Sequence, residues 1–152
     1  MKETFVSKLL RATLYILFAA GTLVIATLPI KLDYYMIVFY DAYSIQPDYR
    51  SFILGFLIVV GVLGLCIIAE LVFMLRTVPT DPFVLRNVKA LRRMGIIALV
   101  TAAVFFAKCC LYITILTLIG GFLLLICGMF AFTLASLFRQ AVAFKEENNL
   151  TI

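Results

Sequence analysis

Residues 94–138 read MGIIALVTAAVFFAKCCLYITILTLIGGFLLLICGMFAFTLASLF, 45 residues in which Lys108 is the only charge. A helix that crosses a bilayer needs about 20 apolar residues. This run is twice that length, so it must cross, reverse and cross again. The reversal is expected near Ile115 to Gly121, where Gly120-Gly121 ends a β-branched run and supplies hairpin backbone angles. Two spans of about 94–114 and 118–138 follow.

Working outward, 52–75 holds one charge, Glu70, near its end, and 12–30 holds none. The basic leader Lys2, Lys8 and Arg11 before the first run raises the reading of a cleavable signal peptide. The apolar part of such a peptide is typically about 7–15 residues. Here it has 19, which favours a retained helix. The expected fold is therefore all-α, an integral membrane four-helix bundle in one domain. Composition agrees: 65% of the 152 residues are hydrophobic, 14% are charged, and the mean hydropathy is +1.17. A small soluble domain cannot bury that much apolar surface.

Orientation follows from the flanking cations. The N-terminal flank, the 76–93 loop and the 139–152 tail together carry ten Lys and Arg, against only Lys31 and Arg50 in the 31–51 loop. Both termini and the 76–93 loop are expected in the cytoplasm. The net charge of +5 is then read as topology and attraction to anionic lipid, not as direct nucleic-acid binding. Within the loop, Asp81-Pro82 is a helix-start pair. Phe83, Val84, Val88 and Leu91 follow at helical spacing, with Arg86, Asn87, Lys89, Arg92 and Arg93 between them. The expectation is a short amphipathic helix lying in the headgroup layer and turning at Gly95 into the third span.

The outer loop carries Tyr34, Tyr35, Phe39, Tyr40, Tyr43 and Tyr49 with Asp33, Asp41 and Asp48. An interfacial aromatic belt is the first reading, and a cap or ligand-receiving loop the second. Intramembrane charges are costly and often functional, so Glu70 and Lys108 need partners. At 1.5 Å per residue their depths differ by roughly 13 Å, which argues against a direct pair. Glu70 is expected to meet Arg93, Arg139 or Arg11, and Lys108 to reach toward the outer headgroups. Cys66, Cys109, Cys110 and Cys127 all lie in spans and are read as small apolar residues. Gly121, Gly128 and Ala135 recur at sevens, a stripe for close helix approach within the monomer or between copies. With no histidine and no carboxylate or metal cluster, an intramembrane enzyme has nothing to work with, and neither metal nor cofactor is expected.

Two cytoplasmic segments resemble a known family. Pro82-Phe83, then Asn87, Lys89, Leu91-Arg92-Arg93 and Gly95, are similar to the loop of the domain-of-unknown-function 2975 group of small bacterial four-span proteins. The tail, Leu137-Phe138-Arg139, Lys145-Glu146-Glu147-Asn148 and Leu150-Thr151-Ile152, resembles that family's ending more closely. Two departures are Asn149, where the family usually has Asp, and Arg86, at an often acidic position. Members are commonly encoded beside a very small helix-turn-helix regulator of the Cro/repressor type. The resemblance implies a membrane protein of the bacterial inner membrane that binds and restrains such a regulator. Pro82, Phe83, Asn87, Lys89, Arg92 and Arg93, with Lys145, Glu146, Glu147, Leu150, Thr151 and Ile152, are the expected contacts. The alternative is a small transporter, or a transporter-accessory or immunity protein, that uses Glu70.

Overall fold

The computed structural model describes residues 5–40, 47–77 and 84–150. They form four helices, α1 (Phe5–Tyr40), α2 (Pro47–Thr77), α3 (Leu85–Leu111) and α4 (Ile115–Leu150), each long and apolar enough to cross a membrane. The all-helical, multi-pass architecture expected from the apolar runs is the one found. In hydrocarbon a backbone must satisfy its own hydrogen bonds, and a helix does so within one segment.

The helices are longer than the apolar runs. Each of α1 and α4 has 36 residues, about 54 Å at 1.5 Å per residue, against roughly 30 Å of hydrocarbon. α1 passes through Pro29, Lys31 and Asp33 instead of ending there. Polar residues are tolerated once a helix reaches the interface, and a proline inside a spanning helix removes only one donor. Most of the expected 31–51 loop is thus helical. Its Asp41 and Tyr43 lie outside the described residues, as do the expected helix-start pair Asp81-Pro82 and Phe83.

Three further expectations are corrected. The separate headgroup-layer helix with a turn at Gly95 is replaced by α3, which runs unbroken from Leu85 through Gly95 to Leu111. Gly95 is buried in helix packing, so it spaces two helices and does not break one. The reversal falls at Tyr112–Thr114, before Gly120-Gly121. Those glycines sit inside α4, where a Cβ would press on the Phe105 and Phe106 rings of α3. The tail expected to begin after residue 138 continues α4 as helix as far as Leu150.

Among the described residues, packing follows chain order: α1 on α2, α2 on α3, α3 on α4. All three pairings are antiparallel. Leu14 of α1 clusters with Val72 and Leu75 of α2, whereas Leu28 and Leu32 cluster with Ile53. Phe56 meets Phe105, and Glu70 meets Arg93. The closest approach is between α3 and α4. There a Cβ on Gly128 would stand 2.8 Å from Leu99 and 3.2 Å from the Gly95 carbonyl oxygen. Small residues at such a crossing let two backbones touch. Much large apolar surface stays outward, including Leu23, Ile30, Leu123 and Phe130. In a spanning helix this is the lipid-facing side.

Candidate functional site

Antiparallel packing gathers the start of α1, the end of α2, the start of α3 and the end of α4 at one end of the bundle. That end carries Lys8, Arg11, Arg76, Arg86, Lys89, Arg92, Arg93, Arg139 and Lys145. The opposite end holds Lys31, Arg50 and Lys108, with Asp33 accepting from Arg50 at 2.8 and 3.2 Å. The charge asymmetry in the sequence is therefore an asymmetry between two ends of the fold.

An ion pair lies at the centre of the basic end. Glu70, near the end of α2, accepts two hydrogen bonds from Arg93, Nε to Oε1 at 2.7 Å and Nη2 to Oε2 at 2.8 Å. Of the three arginines expected to compete for Glu70, Arg93 is the partner. Arg11 instead donates to the Leu75 carbonyl at 3.3 Å, tying α1 to the end of α2. Arg76 donates to the Tyr15 hydroxyl and lies near the Tyr15 and Phe73 rings. A fork-shaped guanidinium matches a carboxylate in two places, so the pair fixes the relative rotation of α2 and α3 as well as their separation.

Beside this pair lies a cleft of about 310 Å³ lined by Glu70, Phe73, Met74, Arg86, Asn87, Ala90 and Arg93. Asn87 is 1% exposed, so it supports the cleft from inside and does not present itself to a partner. This corrects the expected contact at that position. The helical period explains the split: Asn87, Ala90, Leu91, Gly95 and Ala98 face inward, while Arg86, Lys89, Arg92 and Arg93 face outward. On the neighbouring helix, Lys145, Glu146 and Glu147 are exposed. α3 and α4 face each other at Gly95 and Gly128, and at Phe105 and Gly121. Carried down the pair, this register sets Leu85 beside about residue 141. α4 then projects about 14 Å beyond the start of α3, at 1.5 Å per residue. The backbone of Leu150 ends that projection. Pro82, Phe83, Thr151 and Ile152 lie outside the described residues.

Lys108 departs from expectation. It does not reach outward. It is 3% exposed, and its Nζ donates to Thr117 Oγ1 at 2.8 Å and Thr114 Oγ1 at 3.1 Å. Sequence reading passed over these two threonines, because offsets of six and nine residues bring side chains together only once the 112–114 reversal is known. It also passed over the cluster of Tyr112 with Tyr49 and Phe52, at ring-centroid distances of 4.8 and 5.2 Å. That cluster lies at the end remote from Arg93. The four cysteines are free thiols, and the described residues contain no His, Cys, Asp or Glu group able to hold a metal ion. No family model, curated protein or solved structure matches the chain.

Proposed function

We propose that the chain is a non-enzymatic protein of the bacterial cytoplasmic membrane, with both termini in the cytoplasm. Its basic end recruits and restrains a small helix-turn-helix transcription regulator and lets it go on a membrane or external cue. The observation that carries this reading is the helical projection of α4 past the start of α3. It sets exposed Lys145, Glu146 and Glu147 roughly 6–9 Å beyond the start of α3, next in line along the bundle axis after exposed Lys89, Arg92 and Arg93 on the first turns of α3. The result is a face that runs from basic on α3 to mixed charge on α4. Complementary charge steers a partner and fixes its register.

The orientation rests on the excess of Lys and Arg at that end. The transporter alternative asks for a carboxylate that is free to exchange its charge. Glu70 is instead held by two bonds to Arg93, which favours a structural role. The experiment is co-purification of the product of the adjacent gene, expected to be a small helix-turn-helix protein, with wild type, with K89Q/R92Q, and with a truncation lacking residues 145–152. Capture by wild type and at least tenfold less by either variant is expected. Equal capture, or none by wild type, removes the proposal.

A further inference from the structure

Lys108 has a feature that its role in packing leaves unexplained. Its ammonium is buried, yet its partners are all neutral: the hydroxyls of Thr114 and Thr117, and the Phe56 ring at 5.6 Å. Among the carboxylates whose side chains are described, Asp33 is taken by Arg50 and Glu70 by Arg93, while Glu146 and Glu147 belong to the far end. From Arg93 to Lys108 the rise along α3 is about 22 Å. A charge taken out of water beside neutral partners is costly, so an anion brought to this site would be stabilised there.

The surroundings fit one. α4 begins at Ile115, and the carbonyl of Thr114 accepts the Leu118 N–H at 3.0 Å. The first turn of α4 therefore opens beside Lys108, with N–H groups that have no acceptor within the helix and with the positive end of its dipole. Each threonine hydroxyl can accept from Lys108 and still donate its own proton. A groove of about 460 Å³ leads away from this point, lined by Gly55, Phe56 and Val59 of α2 and by Val104, Ala107 and Lys108 of α3. It is kept open by Gly55, where a Cβ would meet nothing within 4 Å. Tyr49, Phe52 and Tyr112 cluster at the same end, the aromatic mark of the headgroup level.

We propose that Lys108, Thr114 and Thr117 bind the headgroup of an anionic membrane amphiphile whose acyl chain lies in the α2–α3 groove. The recognised chemistry is a phosphate or carboxylate oxygen joined to a long hydrocarbon chain. Lys108 supplies the charge, the threonines and the first turn of α4 supply donors, and the groove supplies an apolar wall on both sides.

The test uses the full chain, stripped of lipid in detergent and incubated separately with phosphatidylglycerol, oleate and phosphatidylcholine. Native mass spectrometry counts the retained molecules. One anionic molecule per chain is expected on wild type, with phosphatidylcholine not retained. Retention of phosphatidylglycerol alone assigns a phospholipid, and retention of oleate alone assigns a fatty acid. Lys108→Met and Gly55→Leu each lower occupancy about tenfold, whereas Arg139→Gln, at the far end, leaves it unchanged. Gly55→Leu enters open space, so it tests the groove even if Lys108→Met fails to fold. Equal occupancy in wild type and Gly55→Leu, or retention of phosphatidylcholine as strongly as the anionic molecules, overturns the proposal.

Discussion

Replacing Arg93 by Met and, separately, Glu70 by Gln removes the same ion pair from its two sides, and the structure says the two losses are unequal. The Glu70 side chain is 17% exposed and that of Arg93 58%. Arg93→Met leaves a mostly covered carboxylate facing an empty place, at a cost of about 2 kcal/mol for an unsatisfied buried charged group. Glu70→Gln leaves a guanidinium that is already largely in contact with its surroundings, and the new amide still offers it an oxygen. About 1 kcal/mol is expected there. Exposed pairs are worth roughly 0.2–1 kcal/mol and breaking buried ones costs about 3–5. A half-covered pair with two-point geometry should therefore show a coupling energy of about 1–2 kcal/mol. The assay is reversible unfolding in mixed micelles at rising sodium dodecyl sulfate fraction, for wild type, both single variants and the double variant. Arg86 lines the same cleft, so the cycle is repeated in an Arg86→Gln background to stop it from substituting for Arg93. The reasoning is refuted if Glu70→Gln costs as much as Arg93→Met, or if the coupling is below about 0.3 kcal/mol.

The glycines divide in the same unfolding assay. Gly95→Ala and Gly128→Ala drive a methyl into the α3–α4 crossing and should each cost about 1–3 kcal/mol. Gly64→Ala, whose methyl meets nothing within 4 Å, should be neutral or gain up to about 1 kcal/mol of helix propensity. Alkaline phosphatase fused after Ile152 should be inactive, and the same enzyme inserted between residues 41 and 46 active. The reverse pattern would invert the proposed topology.

What could be read in the sequence was whatever the bilayer itself imposes. Four apolar runs gave four helices, because a backbone in hydrocarbon has almost no alternative. Depth arithmetic separated Glu70 from Lys108 and left Arg93 among the candidates for Glu70. Helix ends were illegible for a complementary reason: near the interface both helix and loop can satisfy their polar groups, so charge no longer decides. Lys31 and Asp33 therefore mark the edge of the membrane run but not the end of α1. The hairpin went astray because Gly120-Gly121 carries two meanings. In water a glycine pair suggests a turn, whereas between packed spanning helices it allows close contact, here with Phe105 and Phe106. Asn87 was misjudged for want of one fact, the face of α3 that meets its neighbours.

Packing that follows chain order has a consequence for assembly. α1 is held by α2, and α4 by α3, through contacts between helices adjacent in sequence. The two halves meet along the α2–α3 seam. Its described contacts include Phe56 with Phe105, Lys108 over the Phe56 ring, Tyr49 and Phe52 with Tyr112, and Glu70 with Arg93. Each half is an antiparallel helix pair with its own short connection. Neither depends on the other for backbone hydrogen bonds, so the loop joining them contributes mainly effective concentration. Residues 1–79 and 80–152 co-expressed as separate chains should then reassemble in the membrane and co-purify through a tag on one of them. Arg93→Met in the second fragment should lower the recovered complex about tenfold or more, since about 1.4 kcal/mol is a factor of ten and no covalent link masks the loss. In the intact chain the same substitution should leave the helices together. Failure of the wild-type fragments to associate would mean that α2 and α3 are held together by the connection and not by the seam.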